Sequence, residues 1–140
     1  MAIELVPLCN LHVQLKPPID VGAGPHGTRL IVEVASAQIK GDRLSGEMVG
    51  SAGADWLLLG PEGTSTADVR FAFKTDDGAT IFVQYHGRAD MSQGFPATVH
   101  VAPRFETSDE RYLWLNRTQA IGKGILYEDF TLDYEWYEAR

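Results

Sequence analysis

The stretch "ADVRFAFKTDDGATIFVQYHG", residues 67–87, alternates apolar and polar residues on either side of a turn. Val69, Phe71 and Phe73 fall on one face of an extended chain, opposite Asp68, Arg70 and Lys74. Beyond the turn, Ile81, Val83 and Tyr85 oppose Phe82, Gln84 and His86. Period-two patterning of this kind belongs to a strand packed on one side. "TDDG" between the two runs predicts a hairpin, because Asp-Gly tolerates the positive φ that a tight turn demands. Similar runs recur along the chain, at 3–15, 29–39, 43–49, 54–60, 97–106, 117–127 and 129–137. Gly, Pro and Asp clusters punctuate them, and the fourteen Gly and seven Pro are thereby used as turns. No long helix-period segment interrupts the series. "SDERYLWL" suits one short helical turn near 108–114, with Ser108 as its N-cap. Eight to nine sequential strands with short links predict an all-β chain, a single antiparallel up-and-down barrel spanning residues 1–140. Closure also removes exposed sheet edges.

Composition narrows the partners. A net charge of −7, with twelve scattered basic residues, repels phosphate backbones and anionic membrane surfaces, so neither nucleic acid nor membrane is expected. Cys9 is the sole cysteine, which excludes an internal disulfide or a thiolate cluster. The N-terminal "MAIELVPLCNLHVQL" lacks a basic region and a long apolar run, so a cytoplasmic location is expected. His12, His26, His86 and His100 show no metal-binding spacing, although paired strands would let His86 meet His100; no metal and no cofactor is expected. "VGAGPHG" imitates a dinucleotide fingerprint, but no helix follows it.

Alternation also sorts the rest of the chain. Val99, Val101 and Phe105 oppose His100, Arg104 and Glu106, and Phe130, Leu132, Tyr134 and Trp136 oppose Thr131, Asp133 and Glu135. The central polar faces mix both signs of charge with amide and imidazole groups. That mixture suits a cross-strand ladder in water, each pair contributing roughly 0.2–1 kcal/mol. It equally suits the wall of a polar cavity inside a barrel. Periodicity by itself leaves both open.

"VGAGPHGTRLIVEV", "GDRLSGEMVGSAGADW", "DVRFAFKTDDGATIFVQYHG" and "PRFETSDERYLWLNRTQAIGKG" stand in an order and spacing that resembles the domain-of-unknown-function 3237 family. The resemblance runs from about residue 20 to 137. It implies a calycin-like barrel that assembles into homodimers or larger homo-oligomers. Its polar signature falls on Asp55, Arg70, Asp77, Arg104, Glu106 and Asn116, and it favours Arg104 and Glu106 facing a cavity.

Asp77 has a sufficient role in the turn. A mid-strand Arg70 that loses water needs a carboxylate, and Asp55 or Glu106 is the expected partner. A carboxylate in a partly dry cavity has a raised pKa and trades protons near neutrality. The expectation is therefore a small-molecule-binding barrel with cofactor-free acid–base chemistry of lyase, isomerase or hydratase type. Asp55 and Glu106 would be the catalytic carboxylates, and Trp56, Arg70, Tyr85, Arg104 and Asn116 the ligand contacts, with Trp114 a further apolar wall. The competing expectation is a non-catalytic oligomeric binding or scaffold protein whose charges only brace the strands.

Overall fold

The computed structural model describes all 140 residues, with ten strands in one antiparallel sheet. They are β1 (Leu5–Leu15), β2 (Ile19–Gly24), β3 (Gly27–Lys40), β4 (Gly46–Leu59), β5 (Thr64–Thr75), β6 (Thr80–Asp90), β7 (Ala97–Val101), β8 (Arg104–Glu106), β9 (Ala120–Leu126) and β10 (Thr131–Ala139). Pairing runs β1-β10-β9-β7-β6-β5-β4-β3, and β1 also pairs with β3, which closes eight strands into a barrel. Around that ring the strands keep chain order, as an up-and-down barrel should. β2 folds back on β3 outside the ring, and β8 pairs only with β6.

Departures from the expected strands have local causes. The runs at 43–49 and 54–60 are one strand, β4, interrupted by a bulge. The run at 97–106 is two strands, because Pro103 cannot donate to a ladder and the chain shifts there. Ile19–Gly24, expected as a loop, is the short outer strand β2. The helical turn is a 3₁₀ segment over Glu110–Arg117, capped by Asp109 rather than Ser108, with the Asp109 carboxylate accepting from the Arg111 amide.

Inside, the apolar faces meet. Val69, Phe71, Phe73, Ile81, Val83 and Tyr85 are all buried, as are Leu132, Tyr134 and Trp136. Two cross-strand pairs show how the large rings fit. Gly124 lies opposite Tyr134 and Gly122 opposite Trp136 on the β9–β10 ladder. A Cβ at Gly124 would sit 2.5 Å from the Tyr134 ring, and one at Gly122 would sit 2.3 Å from the Trp136 ring. β9 therefore gives up two side chains so that β10 can lay two aromatics across it.

The β4 bulge resets which residues point inward. Val49 pairs with Ala72 and Ala54 with Arg70, so Gly50, Ser51, Ala52 and Gly53 together face Phe71 alone. Three surplus residues, an odd number, invert the alternation. Gly46 and Met48 face in before the bulge; Gly53, Asp55, Leu57 and Leu59 face in after it.

Candidate functional site

The inverted end of β4 opens onto a cavity of about 240 Å³ at one end of the barrel. Leu57, Leu59, Val32, Leu30 and Leu132 form much of its wall, and Pro18, Met91, Phe95 and Phe130 reach in from the loops at that end. Phe95 stands at 45% exposure on the rim. Small residues make the space: Ser65 and Ala67 on β5, and Ala89 on β6, point where the other end of the barrel has phenylalanine and isoleucine.

Asp55 is the one ionisable carboxylate in that wall. It is half-buried, and one carboxylate oxygen accepts the Asp68 backbone N–H at 3.0 Å. Loss of water pushes its pKa up from 3.8 to about 6; the Asp68 hydrogen bond and the distant Arg29 charge offset this only in part. The Asp68 carboxylate adds repulsion in the same upward direction. Asp55, Val69 and Tyr85 occupy one cross-strand row. The Asp55 charge reaches the buried phenols of Tyr85 and Tyr134, whose pKa values are raised chiefly by burial, so both stay protonated donors. A carboxyl that is half ionised near pH 6 in an apolar cavity can both take and return a proton.

The other expected site residues lie elsewhere. Arg104 and Glu106 do not face the cavity; they project outward and are exposed, while Phe105 between them is buried at 4%. The reason is hydrophobic: on a three-residue strand only one face can close on the core, and Phe105 loses more by exposure than the two charges lose by staying wet. Together with Asn116 they line a different feature, an open polar groove of about 880 Å³ on the outside, between β6, β8 and the 3₁₀ segment. An open groove leaves its groups hydrated, so it offers none of the desolvation that tunes Asp55. Asn116 braces the loop there, its side chain accepting from the Thr107 N–H and donating to the Thr107 carbonyl, both at 2.9 Å.

Arg70 also points outward, and its expected carboxylate partner is replaced by an aromatic one. Its guanidinium sits 4.3 Å from the Trp56 ring centroid, a cation–π stack on the outer wall. Asp55 and Arg70 cannot pair, because the bulge sends them to opposite faces. Trp56 is thus outside the cavity, and Trp114 lies beneath Arg43 at 5.2 Å. Tyr85, also expected as a ligand contact, is buried in the core against Tyr134 and Trp136 and does not line the cavity. His86 and His100 are not direct cross-strand partners, since His100 stands opposite Arg88 on the β6–β7 ladder. Asp77 accepts from Thr75 and Tyr112 and approaches Arg111, tying the 3₁₀ segment to the β5–β6 turn. Burial pushes the Cys9 thiol up to about 12, which leaves it unreactive.

Tyr134 is the wall residue the sequence did not single out. Alternation marked it as apolar-face; only the glycine opposite it, in "GKG", hinted that its ring had room to fill.

The model of the protein-of-unknown-function family DUF3237 matches residues 3–139. The chain belongs to this family. Among DUF3237 relatives, a UPF0311 protein from Rhodopseudomonas palustris is 28% identical over 116 residues, 74% of this chain and 75% of that one. A hydroalkoxylation enzyme, phnH, from Penicillium herquei is 32% identical over 105 residues, 69% of this chain and 64% of that protein. A crystal structure of a beta-barrel like protein from Acinetobacter baumannii superposes with a TM-score of 0.88 at 29% identity, covering 100% of this chain and 98% of that one.

Proposed function

We propose that this barrel is a cofactor-free acid–base catalyst of the lyase, isomerase or hydratase type, acting on a ring-sized and mostly apolar organic molecule. The observation that carries the reading is Asp55, a carboxyl held at about pKa 6 in the wall of an otherwise apolar cavity. A cavity of roughly 150 Å³ is enough for benzene; the 240 Å³ here suits a substituted or fused ring. Asp55 exchanges the proton, and the leucine and phenylalanine wall supplies contact area and keeps water away.

The relative named as a hydroalkoxylation enzyme supports this class. Hydroalkoxylation adds an alcohol O–H across a carbon–carbon double bond. One proton leaves oxygen and one arrives at carbon, with no net change in oxidation state, so a single carboxyl of near-neutral pKa serves both halves. The outer face supports the competing reading of a non-catalytic binding or scaffold protein, because exposed Arg70, Arg104 and Glu106 brace strands without touching the cavity.

Proton exchange at the α-carbon of 1-indanone in D₂O, followed by proton NMR, separates the two. The catalytic reading expects acceleration over buffer of about 10²-fold, rising with pH through about 6 as Asp55 ionises, and lost in Asp55→Asn. Exchange no faster than buffer across that range would remove the catalytic role.

A further inference from the structure

Besides Asp55, only Ser65 and Tyr134 among the residues of the cavity wall carry a side-chain oxygen. Ser65 lies at the start of its strand, opposite Leu59 and Ala89, toward the mouth. Tyr134 lies deeper, level with Leu11 of β1 and Gly124 of β9.

Tyr134 is also held with unusual rigour. Its ring packs edge-on to Tyr85 at 5.9 Å and 78°, and tilted against Trp136 at 5.9 Å. Gly124 supplies the floor beneath it, where any larger residue would collide with the ring at 2.5 Å. Tyr85, the ring it meets edge-on, is itself sealed at 2% exposure. Packing of the ring therefore sets where the Tyr134 oxygen sits. A hydroxyl fixed in this way loses little entropy when a ligand oxygen arrives, and burial keeps it protonated.

We propose that Tyr134 is the oxygen-recognising group of the cavity: its hydroxyl donates a hydrogen bond to a carbonyl or enolate oxygen on the bound ring, while Asp55 faces the adjacent carbon. The ligand class follows as a cyclic or aromatic ketone, enone or phenol with one oxygen function and few other polar groups. This rests on the cavity-binding part of the function proposed above. For a ketone the step balances without a co-reactant. The Asp55 carboxylate takes the α-hydrogen, the C–H pair becomes the C=C bond of the enolate, and the carbonyl π pair moves onto the oxygen. Tyr134 stabilises that charge by hydrogen bonding and keeps its own proton. Return of the proton from Asp55 to carbon regenerates both groups.

Two probes of one shape test it at pH 8, where Asp55 is ionised and cannot donate. Indane reports the apolar cavity, and 1-indanone adds a single acceptor oxygen. Titration followed by tryptophan fluorescence, with Trp136 against Tyr134, is expected to show 1-indanone binding about three- to tenfold more tightly than indane. Tyr134→Phe keeps the ring and removes the hydroxyl, so it should equalise the two affinities and leave indane unchanged. The infrared carbonyl band of bound 1-indanone should shift to lower frequency in the wild-type protein and relax in Tyr134→Phe. If that variant does not fold, Ser65→Ala decides between the two hydroxyls of the wall: the shifted band should persist in it, and its loss there would assign the contact to Ser65 instead. Equal affinities with an unshifted band would overturn the role of Tyr134 while leaving the cavity as a binding site. Failure of both probes to bind the wild-type protein would overturn the cavity reading, and Tyr134 with it.

Discussion

The two ends of the barrel are built from the same strands and reach opposite outcomes. Along β5 the inward residues run Ser65, Ala67, Val69, Phe71, Phe73, and their partners on β6 run Ala89, Gly87, Tyr85, Val83, Ile81. One end is filled: Phe73, Ile81, Val83, Ile39, Leu44 and Leu115 are at or below 1% exposure. At the other end Leu15, Leu30, Leu57, Leu59 and Leu126 face inward yet remain half-buried, because small neighbours leave them a hollow to line. Packing density holds the first end together, and forgone packing makes the second available for a ligand. Asp55 sits where a carboxylate costs stability, in the end that packing has vacated.

Breaking the packed end should have the largest effect. Phe73→Ala removes a fully buried ring and is expected to cost about 3–5 kcal/mol in urea unfolding, with little change in 1-indanone binding in the protein that stays folded. A loss below about 1 kcal/mol would show that both ends are loosely packed.

Asp55→Asn sharpens the contrast through pH. The folded Asp55 carboxyl keeps its proton to a higher pH than an unfolded one, so the native state binds more protons between about pH 4 and 6. Stability therefore falls as pH rises through that window, and the penalty is complete above it. The shift from 3.8 to about 6 corresponds to at most about 3 kcal/mol, less to the extent that the half-buried group keeps some solvent. The asparagine variant should be the more stable protein at pH 8 by up to that amount, and the advantage should vanish near pH 4. Equal stability at both pH values would mean that Asp55 is solvated.

Ala67→Leu fills the hollow from its wall. Stability should move by less than about 1 kcal/mol, since the added carbons enter empty space rather than a packed core, but indane and 1-indanone should no longer bind. Smallest of all, Arg104→Gln with Glu106→Gln on the outer groove should change stability by no more than about 0.5 kcal/mol and leave probe binding untouched. Loss of binding in that variant would transfer the site from the cavity to the groove.

Much of the fold was legible because alternation is local. The hairpin at "TDDG" and the shared faces of Val69, Phe71 and Phe73, or of Leu132, Tyr134 and Trp136, follow from the pleat and from the turn chemistry of Asp-Gly. The site was far less legible. Arg104 and Glu106 were expected inside on the strength of a charged signature, and the burial of Phe105 outweighed it. Arg70 was expected to seek a carboxylate, and it found the Trp56 ring instead. Asp55 was singled out from its neighbours in "GADW", but nothing near it reveals which way it points.

That direction is the part only the closed barrel decides. A pleated chain dictates which residues share a face, since that depends on bonded geometry alone, and this much the amino-acid order settles by itself. Which face becomes the interior depends on pairing between strands far apart in the chain, and on how many residues each strand spends per rung. At Gly50–Gly53 the count is four against one. That surplus turns Asp55 inward, where loss of water raises its pKa, and a one-residue change in register would have left it an ordinary surface carboxylate.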